Sequence, residues 1–131
     1  MKLITRDTDY AIRALCFIAR RQKGLTSVSE LVSVLGIPRP FLRKLLQTLN
    51  KKRLVKSYKG KGGGFRMARL PRKIIIADLM RIFQGPLKIS EHVFKNSPCP
   101  ERKVCKFKQK LDVIERYVVG ELKRINLESI L

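Results

Sequence analysis

Between Pro38 and Lys52 the chain carries Arg39, Arg43, Lys44, Gln47 and Lys51, interleaved with Leu42, Leu45, Leu46 and Leu49. At 3.6 residues per turn, the leucines share one helix face and the cations and carboxamide take the other. The chemistry open to that polar face is recognition of base edges and phosphate. A guanidinium matches the paired acceptors of guanine, a carboxamide bonds adenine, and an ammonium neutralises phosphate as a point charge. A second group is Lys59-Gly60-Lys61-Gly62-Gly63-Gly64. Glycine lets the backbone pass close to a surface, and the neighbouring lysines reach phosphate or a minor groove. A third is Cys99 with Cys105, beside Arg102, Lys103 and Lys106, whose charge favours thiolate. On residue chemistry alone these two fit a redox-sensitive disulfide, weak zinc binding or no sensing role. Cys16 reads as core packing within an apolar helix, and His92, the only histidine, as a surface residue.

Charge distribution says what such residues would meet. The 131 residues hold 30 Lys and Arg against 10 Asp and Glu, a net charge of +20. Residues 1–70 contribute +14 of this and residues 71–131 the other +6. Leu31 to Ala77 contains 13 basic side chains and no acid. A solvated globular face mixes signs, so this run implies a polyanionic partner. Hydrophobic residues make up 44%, enough for a core and too many for a disordered basic tail. No apolar run reaches the length of a membrane span, and the N-terminus lacks a leader's apolar segment. The expectation is a cytoplasmic protein. Three cysteines are too few, and too odd in number, for a secreted disulfide scaffold. No enzyme is expected either. No Ser–His–Asp or metal-hydrolase set stands out, and a phosphate-binding loop would need Gly-Lys-Ser/Thr opening a helix, where here a strand follows.

These groups must be positioned by local elements. The spacing of Ala11, Ala14, Leu15 and Ile18 predicts a first helix from about Asp9 to Gln22, capped by Thr8 or Asp9 and closed by Lys23-Gly24. Leu25-Thr26 reads as a connector. Ser27-Val28-Ser29-Glu30 is a capping box opening a short helix with Val28, Leu31, Val32 and Leu35 inward and Gly36 as its stop. Pro40 suits the first position of a third helix, whose buried stripe is Phe41, Leu42, Leu45, Leu46 and Leu49. Two helices joined by a glycine turn, the second presenting Arg, Lys and Gln, describe a helix-turn-helix. Residues 54–58 and 65–69 then read as strands of a hairpin tipped by Lys and Gly. Further helices are expected over 72–83, with Ile75, Leu79, Ile82 and Phe83 inward, and over 106–125. In the last, Leu111, Ile114, Val118, Leu122 and Ile125 form a stripe that needs a partner, and a second copy of the chain is the favoured one. The fold class is mainly α with a small β-hairpin: a winged helix-turn-helix over 1–85, a Cys-containing sensor-like loop over 86–105, and a dimerisation helix and tail over 106–131.

Several segments resemble one bacterial family. They are Met1-Lys2-Leu3, Tyr10-Ala11-Ile12-Arg13-Ala14, Gly36-Ile37, Phe41-Leu42, Ile76-Ala77-Asp78-Leu79 and Gly85-Pro86. The most specific is Leu54-Val55-Lys56-Ser57 followed by Gly60-Lys61-Gly62-Gly63-Gly64-Phe65-Arg66. The chain is similar over its whole length to the Rrf-two (Rrf2) family of winged-helix transcriptional regulators. The resemblance implies a homodimer on a palindromic DNA operator, acting as a repressor, with the third helix in the major groove and the wing in the minor groove. Carried over, it implies base readers Arg43 and Lys44, with Arg39 and Gln47 in support, a helix contact from Lys51, and wing contacts from Lys59 and Lys61. Some members carry Glu where this chain has Arg43. Glu accepts from cytosine and Arg prefers guanine, so their operator does not transfer.

Members that hold an iron–sulfur cluster use three cysteines and a fourth, non-cysteine ligand. By that resemblance Cys99 and Cys105 occupy the last two cysteine positions, and the first falls on Val93, beside His92. Asp9 resembles a ligating Asp near the start of the first helix. The implied ligand set is therefore Cys99, Cys105, His92 and Asp9, with a thiol switch and no sensor as alternatives. In function, the reading is a sequence-specific DNA-binding regulator responsive to a cluster or redox signal. The alternative is a basic RNA- or ribosome-associated winged-helix protein.

Overall fold

The first helix begins earlier than its apolar spacing suggests, and a distant side chain is the reason. In this computed structural model, which describes residues 2–89 and 105–131, α1 spans Arg6–Arg20 with Thr5 as its cap. Gln84, 79 residues further on, accepts at Oε1 from the Thr5 amide at 3.1 Å and from the Thr8 hydroxyl at 2.7 Å. Its Nε2 donates to the Leu3 carbonyl at 3.0 Å. Thr8, expected at the cap, is instead fully buried inside the helix.

Helix α2 (Val28–Leu35) starts where the Ser27 hydroxyl accepts from the Glu30 amide at 3.1 Å. The Glu30 carboxylate turns to Arg21 at 2.7 Å. Gly36, at φ +66°, ends the helix in the left-handed conformation that glycine takes without a Cβ penalty. Helix α3 (Arg39–Lys51) has Arg39 first and Pro40 second. Leu42, Leu45, Leu46 and Leu49 are buried along it, while Phe41, expected in that stripe, is 46% exposed. In the first turn a side chain points back toward the N-terminus, which carries Phe41 past the edge of the core.

Strands β1 (Val55–Tyr58) and β2 (Gly64–Met67) pair antiparallel, with Lys56 opposite Arg66 and Ser57 opposite Phe65. Thr26 is more than a connector. Its amide donates to the Phe65 carbonyl at 2.9 Å and its carbonyl accepts from the Phe65 amide at 2.8 Å, which fixes β2 to the base of α2. Gly64 is required by that approach, since a Cβ there would lie 2.6 Å from the Thr26 carbonyl oxygen.

The next helix starts later than expected. Pro71–Lys73 forms one 3-10 turn, and α4 runs over Ile76–Gln84. Ile74 and Ile75 are held extended by the C-terminal segment: the Leu127 amide donates to the Ile74 carbonyl at 2.8 Å and the Ile76 amide to the Ile125 carbonyl at 2.9 Å. Ile76, Leu79 and Met80 are the buried residues of α4, with Ile82 and Phe83 half-buried. Helix α5 covers Lys106–Lys123 and is capped by Cys105.

The core joins Ala14, Leu15 and Ile18 of α1 with Leu31, Ile37, Leu42, Leu46, Leu49, Val55, Ile74 and Leu79, and closes with Leu122 and Leu127. Fully burying each such side chain stabilises by about 1.5–3 kcal/mol, so the C-terminal end of α5 is part of the winged-helix core. The expected stripe of α5 divides accordingly: Val118, Leu122 and Ile125 pack on this core, Leu111 is half-buried, and Ile114 is exposed. Phe107, Val113 and Tyr117, outside that stripe, are exposed as well. Among the described residues no helix is long and apolar enough to cross a membrane.

Candidate nucleic-acid interface

Burying four leucines of α3 fixes its rotation, and therefore which residues it presents outward. Arg39, Arg43, Lys44, Gln47, Asn50 and Lys51 are all exposed. Lys59 and Lys61 are exposed at the tip of the β1–β2 hairpin, where Gly60 and Gly62 take φ of +94° and +78°. Among the described residues no carboxylate lies within 4.0 Å of the cations in this group. The acidic side chains near the head are committed elsewhere: Glu30 to Arg21, and Asp9 to Arg13 at 2.8 Å. The head is thus a set of unneutralised cations on a rigid helix and a glycine-hinged hairpin, suited to phosphate and base edges.

Local contacts orient parts of it. The Arg39 guanidinium donates to the Ser29 hydroxyl at 3.0 Å, which ties the start of α3 to α2. The Arg6 guanidinium lies 4.9 Å from the centre of the Phe41 ring. Arg6, Phe41 and Asn50 therefore belong to this surface, though the sequence reading did not place them there. For Phe41 the available signal was its place in the first turn, next to Pro40. For Asn50 it was the three-residue step from Gln47. Arg6 carries no local signal, because the contact crosses between helices.

The third group is only partly within the described residues. Cys99, His92 and Val93 lie outside them. Cys105 is half-buried at the α5 cap, where its Sγ accepts from the Lys108 amide at 3.4 Å. Asp9 Oδ2 accepts from Arg13 Nε at 2.8 Å, one turn along the same helix. Among the described residues no three His, Cys, Asp or Glu side chains converge as a metal site. Cys16 is buried, and burial pushes its thiol up, against the lowering pull of Arg20.

A helix-turn-helix whose second helix is followed by a basic, glycine-tipped hairpin is a winged helix-turn-helix, a DNA-reading class. The chain belongs to the Rrf2 family, whose model, described as an iron-dependent transcriptional regulator, matches residues 4–131. A protein of Aquifex aeolicus (strain VF5), provisionally named an HTH-type transcriptional regulator, is 38% identical over 100 residues, which are 76% of this chain and 69% of that one. A similarly named protein of Mycobacterium tuberculosis (strain ATCC 25618 / H37Rv) is 39% identical over 85 residues, 64% of this chain and 53% of its own length. Among solved structures, IscR of T. potens superposes with a TM-score of 0.75 at 26% identity, covering 99% of this chain and 85% of that one. CymR, the global cysteine regulator of B. subtilis, gives 0.78 at 24% identity over 99% and 96%, a likeness of fold. The chain is accordingly a transcriptional regulator and not an enzyme, and the RNA- or ribosome-associated alternative is set aside.

Proposed function

We propose that the chain binds duplex DNA as a homodimer on an inverted-repeat operator, reading bases with α3 and the adjacent minor groove with the wing. The observation that carries this is the acid-free outer face of α3, held in one rotation by Leu42, Leu45, Leu46 and Leu49. Arg43 and Lys44 are the principal base readers, with Arg39 and Gln47 in support. Lys51 contacts phosphate near the end of α3, and Lys59 and Lys61 reach the minor groove. The dimer is supported by α5, whose exposed Phe107, Val113, Ile114 and Tyr117 are too apolar for a face left in water. In this reading residues 1–85 form the reading head, 106–131 the dimerising part, and 86–105 the segment between them.

An iron–sulfur cluster would take Cys99, Cys105, His92 and Asp9 as its ligands by the family resemblance; of these Cys105 and Asp9 are among the described residues, with Asp9 in an exposed pair with Arg13 at 2.8 Å. A thiol switch between Cys99 and Cys105 is the alternative. The test is selection of duplexes from a random-sequence pool by the full chain, with sedimentation to count subunits. The expected product is a sequence with two-fold symmetry bound by two chains. Selection of unrelated sequences, or binding by one chain alone, contradicts it.

A further inference from the structure

The outer face of the wing sheet carries charge that the fold itself does not use. Side chains alternate along a strand, so Lys56 and Tyr58 of β1 and Arg66 of β2 share one face. Lys56 and Arg66 stand directly opposite each other. Like charges so placed are destabilising. Both instead settle on the ring between them, Lys56 Nζ at 5.3 Å and the Arg66 guanidinium at 5.1 Å from the centre of Tyr58.

This face forms one wall of an open cleft of about 800 Å³. The other wall is the loop from Arg21 to Leu25, and Arg69 stands at the end. The loop is braced: Arg21 Nη1 donates to the Leu25 carbonyl at 2.6 Å, and Nη2 pairs with Glu30 at 2.7 Å. That pair occupies the nearby acid. Among the described residues Lys23, Lys56, Arg66 and Arg69 have no carboxylate within 4.0 Å. The cleft is therefore preformed and cationic from both sides, and it is lined on one side by the same hairpin whose tip carries Lys59 and Lys61.

We propose that this cleft, between the Arg21–Leu25 loop and β2, takes the phosphodiester backbone of duplex DNA flanking the segment read by α3 and the wing, through Lys23, Arg66 and Arg69. The proposal rests on the DNA-binding reading above and extends it to DNA outside the operator. Phosphate contacts of this kind carry no sequence information. They add affinity by releasing counterions, and so they act only when the flanking duplex is present.

The experiment uses the full chain and the best duplex selected from a random pool, synthesised with short and with long random-sequence flanks. Binding is followed by fluorescence anisotropy across a salt series. For wild type the long duplex should bind more tightly and with the steeper salt dependence. Arg66→Gln with Arg69→Gln should weaken the long duplex severalfold, lower its salt slope by about 1 per side chain removed, and leave the short duplex unchanged. Lys23→Gln, on the other wall and away from the Tyr58 ring, should act in the same direction, which separates charge loss from a loosened wing. Equal weakening of both duplexes, or none on the long one, overturns the cleft while leaving the reading head intact. Wild type that binds neither duplex overturns the reading beneath it. A single-stranded RNA that outcompetes the long duplex, and does so less in the variant with both Arg66→Gln and Arg69→Gln, would assign the cleft to a different polymer and also overturn the proposal.

Discussion

The guanidinium of Arg6, in the first turn of α1, lies 4.9 Å from the centre of the Phe41 ring, in the first turn of α3. This contact joins the N-terminus to the recognition helix. It also leaves Phe41 46% exposed at the end of α3 nearest the proposed major groove. A phenyl ring there suits apolar contact with a thymine methyl group.

Phe41→Ala should therefore cost little stability, about 1 kcal/mol or less, since a cation–π contact at an exposed site is worth about 0.5–1. It should lower affinity for the selected duplex. Leu42→Ala, one residue on and fully buried, should cost about 2–5 kcal/mol. Thermal unfolding of both variants checks the contrast, and equal losses would place Phe41 in the core.

Arg43→Ala should relax base preference at one operator position and cost about 1–3 kcal/mol there. Lys61→Ala should weaken all sequences nearly alike and lower the salt slope by about 1. Binding measured on a panel of single-base operator variants distinguishes the two. Unchanged selectivity in Arg43→Ala would mean that a different face of α3 reads the bases.

Gly64→Ala should disrupt the wing more than Gly62→Ala. At Gly64 a Cβ meets the Thr26 carbonyl oxygen at 2.6 Å, whereas at Gly62 it meets nothing within 4 Å and only the φ of +78° is unfavourable. The expected costs are about 1–3 kcal/mol from overpacking at Gly64 and about 1–2 kcal/mol from left-handed strain at Gly62. Amide exchange at Phe65, which bonds to Thr26, should accelerate in the first variant and not the second.

Burial raises the Cys16 thiol above its ordinary value of 9.0, and Arg20 only partly opposes the shift. The folded chain thus holds this proton more tightly than the unfolded one. The stability it contributes is complete below about pH 9 and is lost as pH rises through the folded value. Cys16→Ala should reduce that alkaline loss. Alkylation of native protein at neutral pH should leave Cys16 unmodified, and rapid labelling there would contradict its burial.

Much of this was readable in the sequence because the signals were local. Ser27 with Glu30, Gly36 after Leu35, the leucine spacing of α3 and the Lys-Gly hairpin each act within a few residues. What escaped depended on partners far along the chain. Thr5 caps α1 because Gln84 meets it there, Thr26 pairs with Phe65, and Ile74 and Ile75 stay extended because the segment after α5 pairs with them. Phe41 was misplaced because a heptad-like stripe says nothing about where the core ends. The exposed cations of α3 and the wing followed directly from pattern and charge.

Whether α3 and the wing read duplex DNA is decided by retention of genomic fragments on the full chain in moderate salt, followed by sequencing of what is held. Fragments sharing an inverted repeat should be enriched, and Arg43→Ala should lose that enrichment while keeping general affinity. Retention no better than that of random fragments would contradict the account.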